Sequence, residues 1–231
     1  MTSKAKNKLS KELEQLLKLP VPDDKKIIAK QISTLIDNDQ AFRAYITAQA
    51  EKIDSNATPA PQTIKGKWWR AINRIYDAEP LSVEGSRQSS SRFNEQGQDS
   101  IYLAESSRTS NLEVQLDQNF VTHSFWAIEF KLTGVLNLTD KQVISSFKIS
   151  TSLLYGLWEL LNMYKITSYS QQVSTIMRKL GYEGFIYDST KDPGKKCLIV
   201  FVDNLKRGSY LEVHDKTQRV KEECLRVEGR L

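Results

Sequence analysis

Apolar positions recur at two different spacings along this chain, and the change between them divides it. Over residues 1–53 the spacing is helical. Leu9, Leu13, Leu16 and Leu17 fall on one face, with lysines and glutamates between them. Pro20 and Pro22 end that helix, because proline lacks the amide hydrogen and its ring clashes with the preceding turn. Asp23 can cap a second helix, in which Ile27, Ile28, Ile32, Leu35 and Ile36 make an apolar stripe. Asn38 or Asp39 can cap a third that carries Phe42, Tyr45 and Ile46. The polar stretch DSNATPAPQT, 54–63, reads as a linker.

From about Lys65 the pattern shortens. KWWRAINRI, 67–75, is aromatic and β-prone. Residues 82–91 form a polar loop with Gly85 and five serines. SIYLA at 100–104 predicts a short strand, and 107–118 a helix that opens near Thr109 or Ser110. HSFWAIEFKL, 123–132, alternates well enough for a half-buried strand, and GVLNLT, 134–139, for another. Asp140 can cap a helix beginning KQVISS. Residues 153–161 and 170–180 are helical in pattern. Strands follow at 184–187 and 196–202, joined by STKDPGK, and a last one at 210–213 precedes a charged tail. No GxGxxG follows the first strand, so a doubly wound dinucleotide fold is not indicated. Short strands among helices of unequal length predict the α+β class, a mixed sheet with helices packed around it. The division expected is a helical extension and linker over 1–60 and one main domain over 61–231.

Composition adds little to this picture. The 231 residues are 39% hydrophobic and 26% charged, as in ordinary soluble domains. The net charge of +5 is spread out, with ten basic and eight acidic residues in 1–60 and twenty-three and twenty in 61–231. A nucleic-acid binder usually gathers its cations on one face. Two cysteines are too few for a disulfide framework, and Cys197, inside CLIVFV, is expected to be a buried thiol. The N-terminal stretch has no apolar core of a signal peptide, and no segment approaches the ~20 apolar residues that span a bilayer. A cytoplasmic protein is the expectation. With two histidines, His123 and His214, and no Cys or His pair at ligand spacing, no metal is expected.

Five residues stand out as candidates for chemistry, each with an ordinary alternative. Arg92 lies in a loop of serines and glycine, where a guanidinium can grip a phosphate with two parallel bonds, or can simply be solvated. Tyr102 points away from Ile101 and Leu103 on its strand. It can stack on a flat ring at a cleft or pack beneath a helix. Glu113, in NLEVQL, is a carboxylate among apolar neighbours, which needs a partner or a task, or else a surface glutamate paired with a nearby cation. Ser189 ends a strand and can meet a ligand or serve as a turn residue, as can Asp188 and Asp192. Arg70, within the aromatic run, points to a cleft or to solvent.

Taken together these residues resemble the RES-domain family, named for its arginine, glutamate and serine. The family pattern is an R-[WF]-N turn, a glycine, a strand ending Y-L-A and a helix with glutamate. This chain has Arg92-Phe93-Asn94, Gly97, Tyr102-Leu103-Ala104 and Glu113. Downstream, the family's S/T-x-Q helix, glycine, aliphatic strand reaching a serine and strand ending in phenylalanine are similar to Ser170-Gln171-Gln172, Gly184, Ile186–Ser189 and Leu198–Phe201. An early [YW]-R is matched by Trp69-Arg70, and GVLNLTD is similar to the family's L-[DN]-L. The resemblance covers roughly 65–205. Where the family has glycines before the arginine this chain has Ser89-Ser90-Ser91, and where it has a proline before the serine this chain has Asp188.

The resemblance implies an ADP-ribosyltransferase-like core and a toxin of a toxin–antitoxin pair, with NAD as its substrate and a helix-turn-helix antitoxin protein as its partner. Cleavage of the nicotinamide–ribose bond, by hydrolysis or phosphorolysis, builds positive charge on the ribose while the cationic pyridinium leaves. The implied roles are a pyrophosphate grip for Arg92, a nicotinamide stack for Tyr102, and charge stabilisation and nucleophile orientation for Glu113. Arg70 is a second candidate for phosphate or ribose, and Ser189 for the nicotinamide ribose. Two other readings compete: transfer of ADP-ribose to a protein target, and a basic interaction module without catalysis. Residues 1–53 can be a docking arm for the antitoxin, a dimerisation element or a lid, since their apolar stripes require a partner surface.

Overall fold

The computed structural model describes Lys30, Ser33 and residues 39–114, 122–156, 158–215 and 224–226. The helix expected around Leu9–Leu17, all but Lys30 and Ser33 of the one expected after Asp23, and positions 115–118 of the helix expected over 107–118 lie outside the described residues. The chain forms two compact units. One comprises 58–89, 96–143 and 177–231, and the other 1–57, 90–95 and 144–176.

The first unit is built on a seven-stranded mixed sheet: β1 (Gln62–Asn73), β2 (Ser100–Ala104), β3 (His123–Asn137), β4 (Gly184–Asp188), β5 (Lys196–Phe201), β6 (Tyr210–Val213) and β7 (Cys224–Arg226). Their order is β1-β2-β5-β4-β3-β6-β7, and β1 also pairs with β3, so five strands close on themselves while β6 and β7 continue outward. Only the β3–β4 pairing is parallel. One face carries a core cluster of Ile72, Ile101, Leu103, Ile128, Phe130, Leu198, Val200 and Leu211, with Leu81, and the other face carries fully buried Phe185, Ile199 and Phe201. Residues of the two faces alternate along the strands, as the pleat requires.

Two expectations change here. β1 begins at Gln62, inside the stretch read as a linker, because Gln62 finds a partner in Val135 of the long β3. The strands expected at 123–132 and 134–139 are one strand of 15 residues. Gly134, expected to open the second strand, sits where β3 exchanges neighbours, from β6 at Ile128–Lys131 to β4 at Val135–Asn137. In that gap the amides of Thr133 and Gly134 donate to Glu183 Oε2 at 2.6 and 2.5 Å, and Lys206 N–H donates to Oε1 at 2.7 Å. Glu183 is fully buried, and backbone donors take the place of water around its carboxylate. A further change is the short helix α2 (Glu84–Gln88) in the expected loop at 82–91. Ser86 Oγ accepts the Ser100 amide at 3.0 Å, and Arg87 holds Asp99 through two bonds of 2.7 and 2.8 Å, which fixes this turn to the start of β2.

The other unit is helical. α1 (Asp39–Ala50) buries Phe42 and Ile46, the residues its periodicity singles out. The single helix expected at 153–161 is two, Thr151–Leu154 and Trp158–Met163, with Gly156 between them. Tyr169–Lys179 forms the long helix expected at 170–180 and carries buried Tyr169, Gln171 and Val173. Asp140 caps the helix Lys141–Ser146 by accepting Gln142 N–H at 2.8 Å.

Replacing Glu183 with alanine removes the acceptor of the buried Gly134 amide and of the part-buried Lys206 amide, while the Thr133 amide keeps Ser209 Oγ at 3.1 Å, and a buried donor left unmet costs about 1–3 kcal/mol. Glu183→Ala should therefore lose about 1–3 kcal/mol in urea denaturation. Gly184 is under a separate constraint. At φ +154° a β-carbon would lie 2.0 Å from the Ile199 carbonyl oxygen. Gly184→Ala should force β4 and β5 apart at a cost of about 2–4 kcal/mol, read as a lowered thermal midpoint.

Candidate active site

Tyr102 is the middle residue of β2. Its neighbours Ile101 and Leu103 are in the core, so its ring lies on the other face of the sheet, half-buried. Register shows what shares that face. Tyr102 stands opposite Ile199, which stands opposite Phe185. Ala104 stands opposite Cys197, which stands opposite Tyr187. Directly paired residues point to the same side, and diagonal neighbours are about 7–8 Å apart.

Glu113 reaches this face from the helix Ser107–Val114, α3 in the order β2, α3, β3. Ser106 caps α3 by accepting the Thr109 amide at 3.0 Å. One turn on, Glu113 Oε1 accepts the Ser189 hydroxyl at 2.5 Å and faces the Cys197 thiol at 3.8 Å. The carboxylate thus sits over the strand position diagonal to Tyr102. Ser189, 5% exposed, follows the end of β4. Its Oγ accepts the amides of Lys191 and Asp192 at 3.2 and 2.9 Å. With both lone pairs engaged, its one proton can go only to Glu113. Oε1 is thereby held, and Oε2 accepts no hydrogen bond from the described residues.

The opposite end of the same row carries a cation that inspection of the sequence passed over. Arg178 lies over the Phe201 ring, 4.2 Å from its centroid, donates to Ser100 Oγ at 2.9 Å and pairs with Asp203. Burial holds its guanidinium below the usual arginine range, and Asp203, Tyr102 and Asp99 oppose that shift. Its position near the end of an amphipathic helix offers no local signal, because only the β2–β5 register brings Ser100 and Phe201 together.

Arg70 is on the other side of the sheet. Trp69 pairs with Ala104, so Arg70 shares the core face with Ile72. Its two terminal nitrogens donate to the carbonyls of Pro80 and Ser82, each at 2.7 Å. Asp188 is exposed and points away from Ser189's side of β4.

Arg92 belongs to the helical unit. It lies in the tight turn Ser91–Asn94, is 8% exposed, and has the rings of Trp158, Phe93 and Tyr155 at 5.6, 5.8 and 6.0 Å from its guanidinium carbon. Buried Gln171 fixes that turn: its Nε2 donates to the carbonyls of Ser91 and Asn94 at 2.8 and 3.1 Å. The R-F-N turn and the S-x-Q helix, 80 residues apart, are one structural piece joined by a single amide.

Compared with known families, residues 67–221 match the RES domain. The chain belongs to the RES-domain family. The match takes in Arg70, Arg92, Tyr102, Glu113 and Ser189. Among solved structures, this RES domain is similar in fold to a chain of the crystal structure of the M. tuberculosis MbcT-MbcA toxin-antitoxin complex. The TM-score is 0.53 and the identity 20%, over 72% of this chain and 89% of that one. A comparison with curated proteins gives no match.

Ser189→Ala in this RES domain removes the acceptor for two amides and the donor to Glu113. Its expected cost is about 1–3 kcal/mol by chemical denaturation. Ser189→Thr, which keeps the hydroxyl, should recover most of it.

Proposed function

We propose that this RES domain consumes NAD, cleaving the bond between nicotinamide and ribose by hydrolysis or phosphorolysis, on an ADP-ribosyltransferase-like core. The observation that carries the reading is the Glu113 carboxylate, one oxygen tied to Ser189 and the other without a hydrogen bond from the described residues, on the sheet face that bears Tyr102. Membership of the RES family supports it independently.

In the proposed reaction the C–N glycosidic bond breaks and its electron pair leaves with nicotinamide, which departs neutral. The ribose carbon takes up positive charge, and Oε2 of Glu113 stabilises it at short range, where a partly buried carboxylate acts more strongly than in water. Water or phosphate then attacks the same carbon. With water, the products are nicotinamide, ADP-ribose and a proton, for which Glu113 is the nearby acceptor. With phosphate, the product is the ADP-ribose 1″-phosphate. Ser189 keeps Oε1 from rotating into the position of the attacking group. Tyr102 offers a flat face to the nicotinamide. Arg92 grips the pyrophosphate, a role that rests on its place in the family pattern.

A structural neighbour drawn from a toxin–antitoxin complex supports the further proposal that the chain acts as a toxin, with a helix-turn-helix antitoxin protein as its partner. No helix among the described residues is long and apolar enough to cross a membrane. The proposed location is the cytoplasm, where NAD is available.

Purified protein incubated with NAD should release free nicotinamide, and Glu113→Gln should lower kcat by about 10²–10³-fold. Running the assay with and without inorganic phosphate separates the two acceptors by product. Equal release by wild type and Glu113→Gln would remove the carboxylate from the mechanism, and no release by wild type under either condition would refute the NAD reading.

A further inference from the structure

The geometry around α3 points to a positioning device that the family pattern does not contain: we propose that Thr109 and Asp192 form a clamp that sets Glu113 for catalysis. The inference rests on the NAD-consuming reading of Glu113.

Thr109 and Glu113 are four residues apart on α3, hence on the same face of the helix one turn from each other. Both reach the loop that joins β4 to β5. Glu113 Oε1 accepts from Ser189, and Thr109 Oγ1 donates to Asp192 Oδ2 at 2.7 Å. Thr109 is fully buried. The direction of its hydroxyl is determined. A carboxylate can only accept, so the Thr109 proton goes to Asp192, and the Ser106 hydroxyl, 2.7 Å away, must donate to Thr109. Ser106, Thr109 and Asp192 form a one-way chain that starts at the cap of α3 and ends in the loop.

Asp192 is the residue through which that chain acts. Its side chain is held by Thr109, its amide donates to Ser189 Oγ, and its carbonyl accepts Lys195 N–H at 3.0 Å. Ser189 N–H closes the loop on Lys195 O at 2.8 Å. Moving Asp192 therefore moves one of the two amides that orient the Ser189 hydroxyl, and with it the grip on Glu113. Two contacts one turn apart also stop the helix from rocking about a single bond. A displacement of about 1 Å in a reacting group can cost about 10²-fold in rate, so a clamp of this kind has a large effect on kcat for little stability.

The test uses the full chain and four variants: Thr109→Val, Asp192→Ala, the double variant and Thr109→Ser. Thr109→Val and Asp192→Ala should each lower kcat for nicotinamide release about tenfold or more, with KM within about threefold. The double variant should be no worse than either single one, since both remove the same bond. Thr109→Ser should restore kcat to within about threefold of wild type. Amide exchange provides a second readout, with Lys191 and Asp192 exchanging about tenfold faster in Thr109→Val than in wild type. Wild-type kcat in folded Thr109→Val, or losses that multiply in the double variant, would overturn the clamp. Should Thr109→Val fail to fold, Asp192→Ala, altered in a half-buried loop residue, decides by the same measures. If wild type releases no nicotinamide, the NAD reading falls, and amide exchange judges the clamp by itself. Unchanged protection at Lys191 and Asp192 would refute it, and accelerated exchange would support it.

Discussion

A single buried carboxylate holds the sheet together where its pattern breaks. β3 serves two neighbours in turn, and at the changeover neither β6 nor β4 can satisfy the amides of Thr133 and Gly134. Glu183 supplies the missing acceptor, and its own main chain bonds both ways, N–H to Gly134 O at 2.8 Å and carbonyl to Phe201 N–H at 2.7 Å. A buried polar group is costly unless hydrogen-bonded, and this carboxylate accepts from the two β3 amides at the changeover and from the amide of Lys206. Everything at the candidate active site is downstream of it. Glu183 immediately precedes β4, β4 ends at the Ser189 loop, and β5 brings Cys197 and Ile199 beside Tyr102.

The site itself follows a rule of saturation. A serine hydroxyl has two acceptor positions and one proton. Filling the acceptors with main-chain amides leaves the proton one destination, so Ser189 acts as a directed donor rather than a free rotor. The same arithmetic orders Ser106, Thr109 and Asp192. Two hydrogen-bond chains of fixed sense run between α3 and one short loop, and among the described residues they engage only one oxygen of Glu113. That asymmetry sets this helical glutamate apart from a common surface residue.

In the helical unit one side-chain amide has a comparable part. Gln171 receives Ser168 N–H at 2.8 Å on its oxygen and donates from its nitrogen to Ser91 and Asn94. The turn bearing Arg92 is therefore held by its carbonyls, while the guanidinium lies among three rings. Such a cation is positioned by packing and keeps its planar donors oriented.

Much of this was written locally. The strand at Ser100–Ala104, the helices at 39–50, 141–146 and 169–179, and the strand pair at 184–188 and 196–201 follow from apolar patterning and caps, because those signals are local to each segment. The side of the strand on which Tyr102 lies was legible for the same reason. The RES pattern was legible too, as a set of residue types at fixed spacing. Tertiary structure decided the rest. No local signal could join 123–132 to 134–139, since the acceptor that carries the chain through Gly134 comes from residue 183. Nor could spacing tell that Arg70 serves two main-chain carbonyls, that Arg178 flanks Tyr102, or that Thr109 and Glu113 grip one loop some 80 residues away. A sequence specifies which groups each segment turns toward the interior. Which partner meets them there depends on strand register, and register is set only when distant strands pair.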